Sequence, residues 1–557
     1  MRGALSVKAH CLPFSQIPHS TRLFTDYLSY SPAVQPFYPR SPYSSEWLKE
    51  EAGKISYDST RRRRMAAILE RQNQSWQNQA GKENGNASPK TISNLERFRQ
   101  GAAAIVTGQQ VGLFGGPMFS MYKALTAVKL AEEATAGGVD AVPIFWLATY
   151  DHDLAEVNHI SLPGSEGALQ TLTTPSHAAA GAPVSAVHLG DEIVPLVEQA
   201  AVLLGDTEAT RLLRETYRPG ETLGTAFARF YSRLFAEWGV IVLDASDPEL
   251  HREAEPIYRG AVERAGELAA AVVARGHALE AAGYHQQVKV TPSSVLLFTL
   301  QNGARTPIQR HGEGESAEFV IAGEGASEKI SQAELLRRVS SAPEQFSPNV
   351  LLRPIVQDYL LPTLAYTGGA AEAAYFAQAG AVYERLVGRV TPMVPRFSAT
   401  IVEPKIQRVL ERHGIAVPDT FSGPEAVRQE LAAHSLPHDL QAAFEVTKNS
   451  LDANLRTVKD ALAKLDRTLV DAAETSRSKI QHQLEKLQAQ AARAEAQKGE
   501  LVSRHAEVLS QALYPEKGLQ ERAIAGVYFM ARYGSELLHQ LHDAIHTDCH
   551  DHQILEL

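Results

Sequence analysis

Cysteine is scarce in this sequence, and the little that is present cannot build a site. Only two of the 557 residues are cysteine, Cys11 and Cys549. Two cysteines cannot form a disulfide framework or a Cys-x-x-Cys metal site, and such a low content is typical of proteins kept in a reducing compartment. We therefore expect a cytoplasmic protein.

An excess of basic charge and a long apolar run are also missing. The 54 basic residues are outnumbered by 64 acidic ones, which gives a net charge of −10 and disfavours general affinity for nucleic acid or an anionic membrane. No apolar run approaches the roughly 20 residues that span a bilayer, and the amino terminus lacks the apolar core of a signal peptide. We expect neither nucleic acid nor a membrane as partner.

Apolar strands that alternate with helical segments dominate the middle of the chain. The first strand begins at Ile105, the second covers 143–149 and the third ends at Asp244, and a helical pattern follows each of them. This alternation predicts an α/β fold, a Rossmann-like parallel-sheet core with connecting insertions near 160–200 and 286–345. We assign 1–100 to a helical segment joining the core, 101–420 to the core, and 513–557 to a segment returning to it.

A helical domain is predicted over 421–512. Leucines and a valine recur at spacings of four and three up to Leu465, and a second stripe from Ile480 follows out of register. Thr468 and Asp471 resemble a capping box at the start of a new helix. The pattern predicts an α-helical antiparallel coiled coil that turns near Asp466. Its apolar stripes need a partner, either each other or a second subunit, so a homodimer is one hypothesis.

A turn with four glycines lies between the first strand and a helix that opens at Pro117. Its glycines, at positions 108, 112, 115 and 116, match neither the Walker loop nor the GxGxxG pattern. The turn could aim backbone N–H groups at an anionic ligand, with Lys123 reaching back to it. Alternatively, the glycines could serve only tight packing of the strand against the helix.

The second strand runs directly into a titratable cluster, Asp151, His152, Asp153, Glu156 and His159. Three interpretations stay open. The cluster could hold a metal, it could bind an amine and supply a general base, or its aspartates could only cap the next helix.

A third segment and the tail are less specific. Glu372, Tyr375 and Gln378 follow a double glycine at a three-residue step, which fits either a polar ligand site or a solvated helix face. His539, His542, His546 and neighbouring residues of the tail could in principle hold a metal.

Five ordered blocks resemble the bacillithiol-biosynthesis cysteine ligase family from end to end. They are 107–117 with Lys123, 145–159, 352–378, 395–398 and 519–522. The resemblance implies a Rossmann-like core, a coiled coil used for dimerisation, and an enzyme that joins L-cysteine to the amino group of glucosaminyl-malate. Where many relatives have Gly-Gly-Pro-Gly-Glu, this chain has Gly369-Ala-Ala-Glu372, so the turn before the glutamate is less flexible.

The matched blocks supply the candidate site residues. The catalytic candidates are Asp151, His152, Asp153 and His159. The substrate-binding candidates are Gly108, Gln109, Gln110, Gly112, Gly115, Gly116, Lys123, Glu156, Asn158, Arg353, Gln357, Asp358, Tyr366, Gly369, Glu372, Tyr375, Gln378, Arg396 and Ser398. ATP is expected to activate cysteine, as a cysteinyl-adenylate, and no metal is expected. The alternatives are a metal-dependent hydrolase using Asp151, His152 and His159, and a non-catalytic coiled-coil scaffold.

Overall fold

A computed structural model gives the fold. It describes residues 7–41, 43, 47–77, 87–164, 167–176, 178–312, 314, 317–322, 327–434, 438–496, 499–546 and 551–557. Cys549 and His550 lie outside these residues. Among the helices that are described, none combines the length and apolar character needed to cross a membrane.

The described strands and helices alternate along most of the chain. The strands are β1 (Lys8–Leu12), β2 (Ala103–Gln109), β3 (Ala141–Leu147), β4 (His159–Pro163), β5 (Leu169–Thr173), β6 (Ile241–Asp244), β7 (Ser294–Gln301), β8 (Ala304–His311), β9 (Glu318–Ile321), β10 (Glu328–Ser331), β11 (Phe346–Pro348), β12 (Thr363–Gly368), β13 (Met393–Pro395), β14 (Ala399–Val402) and β15 (His552–Glu556). The helices are α1 (Arg22–Leu28), α2 (Trp47–Gly53), α3 (Ser59–Gln77), α4 (Pro89–Gln100), α5 (Met118–Ala136), α6 (Ile193–Leu204), α7 (Glu208–Thr216), α8 (Leu223–Leu234), α9 (Pro248–Glu263), α10 (Ala265–Ala281), α11 (Gln332–Ser341), α12 (Arg353–Leu360), α13 (Ala370–Leu386), α14 (Pro404–His413), α15 (Pro424–His434), α16 (His438–Leu465), α17 (Leu469–Ala496), α18 (Glu500–Leu513), α19 (Gln520–Ala523), α20 (Gly526–Tyr533) and α21 (Glu536–Ala544).

A five-stranded parallel sheet forms the core, in the order β13-β12-β2-β3-β6. All seven residues of β3 are buried, as are six of the seven in β2, because helices cover both faces of the sheet. The order reverses between β2 and β12, whose chain neighbours lie on opposite sides. In an open α/β sheet, the crevice outside the carboxyl ends of the strands at such a switch point is where ligands bind.

Two insertions interrupt the core. The β4–β5 antiparallel hairpin occupies 159–173. A five-stranded antiparallel sheet in the order β10-β9-β8-β7-β11 occupies 294–348. Both lie where the sequence predicts short strands between core elements, and the second insertion brings Arg305 of β8 to the carboxyl end of β3.

The long helices α16 and α17 pack against each other as an antiparallel hairpin. Lys459 pairs with Glu474 at 2.9 Å, and Arg477 pairs with Asp452 at 3.1 Å, so the two helices run in opposite directions. The predicted turn at Asp466 is confirmed, although Thr468 donates to Asp466 instead of forming a capping box with Asp471.

The end of the chain returns to the core. Strand β15 lies between β1 and β14 in a small three-stranded sheet, and α19 packs against α5 and β14. This arrangement places Glu521 and Arg522, which follow the coiled coil in sequence, beside the switch point of the central sheet.

Candidate active site

A cavity of about 430 Å³ opens at the switch point, and we call it the switch-point cavity. It lies at the carboxyl ends of β2, β3, β12 and β13. Its lining residues are Gly108, Gln109, Gln110, Phe119, Lys123, Trp146, Ala148, Asp151, Glu156, Gln287, Val350, Arg353, Tyr366, Gly369, Ala370, Ala371, Glu372, Tyr375, Arg396 and Arg522. Twelve residues predicted from the sequence are among them, so the glycine turn and the Asp151 segment do share one cavity.

Only the first part of the glycine turn lines this cavity. Gly108 does, and a Cβ there would lie 3.3 Å from the hydroxyl oxygen of Tyr366. Gly112, Gly115 and Gly116 lie elsewhere, which corrects the expectation of a continuous anion cradle over 108–116. Their packing matches the alternative interpretation, tight contact between strand and helix.

The contacts of the last two glycines explain the correction. The N–H of Gly115 donates to the Tyr217 hydroxyl at 2.9 Å, and the N–H of Gly116 donates to the carbonyl of Leu113 at 2.9 Å. Gly115 has a φ of +89°, and a Cβ there would approach Phe230 to 2.7 Å. Both N–H groups are therefore used by the protein, and the space above Gly115 is filled by an aromatic ring.

Lys123 turns back toward the end of β2, one of the two directions open to it from the sequence, and the protein uses all three of its protons. Its Nζ donates to the Gly108 carbonyl at 2.9 Å, to Gln109 Oε1 at 2.8 Å and to Glu372 Oε1 at 2.6 Å. Burial lowers the pKa of Lys123 to about 8, although the Glu372 carboxylate opposes that shift. Lys123 thus ties the end of β2 to the start of α13.

Glu372 is the ion-pair partner of Lys123 at the start of α13. It accepts the Tyr366 hydroxyl at 2.8 Å and the N–H of Gly369 at 2.6 Å, which caps α13. Burial disfavours its ionised form, but Lys123 and these hydrogen bonds keep the pKa of Glu372 below its usual value. Ala370 and Ala371 follow on the cavity wall, so the first turn of α13 faces the cavity with its positive dipole end.

Asp151 lies in a fixed position at the end of β3. Its Oδ2 accepts from Gln110 Nε2 at 2.6 Å, and its Oδ1 accepts from the N–H of His152 at 2.8 Å. Arg305 Nη1 lies 3.5 Å from Oδ1. A carboxylate held by three donors has a defined orientation, and this one faces the cavity.

The neighbours of Asp151 are more dispersed than the sequence predicts. Of the remaining titratable candidates, only Glu156 lines the cavity. His152 is exposed beside Arg305, with its Nδ1 at 3.3 Å from Nη1. His159 begins β4, where its Nδ1 lies 3.3 Å from the side chain of Asn158. Asp153 precedes a short helical turn without a side-chain capping bond. The structure therefore brings Asp151 and Glu156 to the cavity and leaves His152, Asp153 and His159 outside its lining.

Arg353 is a buried cation on the cavity wall, with 7% of its surface exposed. It donates to Gln357 Oε1 at 2.9 Å and to the Tyr375 hydroxyl at 3.0 Å, and its guanidinium lies 4.9 Å from the centre of the Tyr366 ring. These contacts orient Arg353, but the contacting side chains are neutral and none of them supplies a counter-ion for its charge.

Three predicted binding residues instead support the wall from behind. Gln357 receives Arg353 and donates to Asp358, which also accepts the Tyr383 hydroxyl at 2.6 Å. Gln378 pairs through both amide atoms with the backbone of Val288, at 2.9 and 2.8 Å. Their expected role as direct ligand contacts is corrected, because none lines the switch-point cavity and each is occupied by protein.

Arg396 reaches the cavity from the end of β13 and forms an ion pair with Glu521 at 2.5 Å. The Arg396 and Glu521 side chains are 6% and 0% exposed. Glu521 also accepts from Ser398 Oγ and from the N–H of Ala399, each at 3.0 Å. Burial disfavours its ionised form, but Arg396 holds the pKa of Glu521 below its usual value.

Ser398 lies behind this pair and does not line the cavity. Its Oγ is 2.8 Å from Nδ1 of the buried His552, whose Nε2 lies 2.9 Å from the Thr400 hydroxyl. Because Ser398 donates its single proton to Glu521, the neutral His552 donates from Nδ1 and accepts at Nε2. Burial lowers the pKa of His552 to about 4, so the ring is neutral near pH 7.

Several residues of the site escaped the sequence-based assignment. Phe119 lines the switch-point cavity from α5, and Arg305 contacts Asp151 from the second insertion. From the chain end, Glu521 pairs with Arg396 and Arg522 lines the cavity. The resemblance includes the block at 519–522, and that block is the one sequence signal pointing to the last two residues.

A second cavity of about 430 Å³ adjoins the first on the side of the second insertion, and we call it the insertion cavity. Asp151 and Arg353 line both cavities. The walls of the insertion cavity include Val288, Val295 and Phe298, together with Arg305. Two ligands could therefore meet at Asp151 and Arg353.

The described residues contain no group of three or more His, Cys, Asp or Glu side chains arranged to hold a metal ion. The tail histidines are engaged separately: His539 pairs with Glu237 and His542 with Glu132, each at 2.9 Å. Neither the Asp151 segment nor the tail is thus assembled as a metal centre in the part of the chain that is described.

The fold and cavity define a Rossmann-like α/β protein with a switch-point site and a helical hairpin. The family model described as "Bacillithiol biosynthesis BshC, N-terminal Rossmann-like domain" matches residues 7–397, and its "C-terminal coiled-coil domain" matches 399–557. The chain belongs to this BshC family of bacillithiol biosynthesis. The predicted family and fold class are confirmed.

Curated relatives cover nearly the whole chain. A protein of Koribacter versatilis is 46% identical over 98% of this chain and 99% of its own length. Proteins of Solibacter usitatus and Salinibacter ruber are 36% and 33% identical, each over 98% of this chain and over 99% and 98% of their own lengths. All three are named "Putative cysteine ligase BshC", which agrees with the predicted ligase class.

Proposed function

We propose that this chain joins L-cysteine to the amino group of glucosaminyl-malate and so forms bacillithiol. The observation that carries the proposal is the position of Asp151, an oriented carboxylate between two adjoining cavities at the switch point. The switch-point cavity has a cationic wall, and the insertion cavity combines apolar side chains with Arg305 and the shared Arg353. Two substrates that react with each other need such neighbouring compartments.

Amide formation from a free carboxylate needs an activator, because hydroxide is a poor leaving group. We propose ATP in this role, since it supplies a better leaving group on the cysteine carboxyl. Support comes from the wall formed by the first turn of α13 and Arg522, because helix N-termini and guanidinium groups both suit phosphate. This wall replaces the glycine turn as the proposed phosphate site.

Asp151 is proposed to hold the ammonium group of the incoming amine and to receive its proton. An amine attacks only in its neutral form, so a nearby proton acceptor is required. His152 is less suited to this role, since Arg305 donates toward its Nδ1 and a protonated ring would place two cations side by side. Glu156, on the same cavity, offers a second carboxylate for the ammonium group.

The chain is also proposed to act as a homodimer through the helical hairpin. Val458, Leu465 and Leu487 of the hairpin are 49%, 79% and 55% exposed, and a second copy would cover these side chains. Light scattering tests this directly: a mass of one 60.7 kDa chain would contradict it. The cytoplasmic location stays a prediction.

Complementation tests the proposed function. The gene is expressed in a strain that makes glucosaminyl-malate but lacks the cysteine-adding step, and cellular bacillithiol is measured. We expect the wild type to restore the thiol and Asp151→Asn to reduce it at least tenfold. Asp191→Asn, an exposed aspartate outside both cavities, is the matched control. Normal thiol levels in Asp151→Asn would remove this carboxylate from the mechanism, and no thiol with the wild type would contradict the function.

A further inference from the structure

The cations around the two cavities differ in whether the protein neutralises them. Three have a carboxylate partner within the chain. The pairs are Lys123–Glu372 at 2.6 Å, Arg396–Glu521 at 2.5 Å and Arg305–Asp151 at 3.5 Å. Three other cations form no ion pair with any described residue: Arg353 and Arg522 of the switch-point cavity, and the exposed Lys289 of the insertion cavity.

Of the two arginines, Arg353 carries the larger free-energy cost for its unpaired charge. It is buried, and its hydrogen-bond partners, Gln357 and Tyr375, are neutral. Placing an uncompensated charge in the interior is expensive, so buried charges are normally paired. Arg353 lies on the wall shared by both cavities, where an anionic group of a ligand could supply the missing counter-ion.

Arg522 completes a cluster of positive charge around one aromatic ring. Lys123 Nζ lies 5.6 Å from the centre of the Phe119 ring, and the guanidinium carbons of Arg396 and Arg522 lie 5.3 and 5.7 Å from it. Glu372 and Glu521 neutralise the first two cations, whereas Arg522 is exposed to water and has no carboxylate partner among the described residues, so its charge is free to meet a ligand. The first turn of α13 lines the same cavity and adds to the positive potential there.

We propose that Arg353 and Arg522 are the two anion-binding residues of the site, each taking one phosphate or carboxylate group of the bound ligands. The proposal rests on the proposed function only for the identity of the ligands. It specifies the charge pattern the site accepts: one anionic group at the boundary of the two cavities and a second beside Phe119.

Direct binding tests this without turnover. Isothermal titration calorimetry of the full chain uses two probes separately, inorganic pyrophosphate and L-malate. A lost charge-assisted hydrogen bond corresponds to a decrease in affinity of about tenfold to a hundredfold. We expect Arg522→Gln to weaken at least one probe by that factor, while Arg532→Gln, in which an exposed arginine 3.7 Å from Glu403 is changed, binds as the wild type does.

The two probes distinguish the sources of the anion. A loss confined to pyrophosphate assigns Arg522 to phosphate, and a loss confined to malate assigns it to a carboxylate. Arg353→Gln is read in the same way once its thermal melting confirms folding, and Arg353→Met, which also removes the charge, replaces it if it does not fold. Unchanged affinities in Arg522→Gln and the Arg353 variant, or no binding of either probe to the wild type, would overturn the proposal.

Failure of this proposal can be separated from failure of the proposed function. Wild-type complementation together with unchanged probe binding in the variants would remove the two arginines and keep the ligase. Weakened probe binding in the variants, without complementation by the wild type, would keep the anion sites and remove the proposed reaction.

Discussion

Replacing Glu521 with Gln should destabilise the protein and disturb the cavity at the same time. The change removes the charge that neutralises the buried Arg396. The Glu521 carboxylate has two oxygens that accept from Arg396, Ser398 and the Ala399 N–H, whereas a Gln side chain has only one accepting oxygen. Breaking a buried ion pair costs about 3–5 kcal/mol. Gln keeps the shape of the side chain, so we expect the lower end, about 3 kcal/mol.

Urea denaturation followed by fluorescence measures this loss, and a double-mutant cycle with Arg396→Gln isolates the pair. We expect a coupling energy above about 1.5 kcal/mol, because residues in direct contact are not additive. Glu411→Gln, on the exposed side of α14, should change stability by less than about 0.5 kcal/mol. A loss below about 1 kcal/mol for Glu521→Gln, with no coupling to Arg396, would refute the account of this pair.

Three further predictions follow from the same contacts. The pKa of His552 falls from 6.5 to about 4 on folding, so between those pH values the unfolded state binds one more proton than the folded state. The corresponding stability, about 3 kcal/mol, is fully present above pH 6.5 and is lost as the pH falls toward 4. Unfolding free energies of the wild type and His552→Gln, measured over a pH series, check this. Gly115→Ala should cost about 1–3 kcal/mol in a thermal unfolding assay, because its φ is +89° and its Cβ would meet Phe230; a neutral result would contradict the tight packing. Lys123→Met should lower both stability and activity, and adding Glu372→Gln should recover part of the stability, since the double variant leaves no unpaired carboxylate; no recovery in thermal unfolding would argue against the ion pair.

The core sheet was predictable because its signals are local. The strands ending near Gln109, Leu147 and Asp244 are short apolar runs with a helix after each, and nothing distant is needed to recognise them. The turn at Asp466 was predictable for the same reason, since the phase of the apolar stripe changes there. Asp151 could be placed at the cavity because the carboxyl ends of neighbouring parallel strands meet at one edge.

The remaining features depend on residues far apart in sequence. Whether the glycine turn cradles a ligand is decided by Tyr217 and Phe230, which fill its space from more than 100 positions away. The spacing of Glu372 and Gln378 gives no indication that Gln378 pairs with the backbone of Val288, in the segment before β7. Arg522 could be recognised as part of a matched block, but only the return of the chain end to the core brings it to the cavity.

Reconstitution of the reaction tests the central claim most directly. Purified protein is incubated with L-cysteine, glucosaminyl-malate and ATP, and mass spectrometry follows bacillithiol, with omission of ATP and the Asp151→Asn variant as comparisons. The account predicts bacillithiol only in the complete reaction with the wild type. Equal product from Asp151→Asn would contradict the role of the switch-point cavity, and absence of product from the wild type in every mixture would contradict the ligase itself.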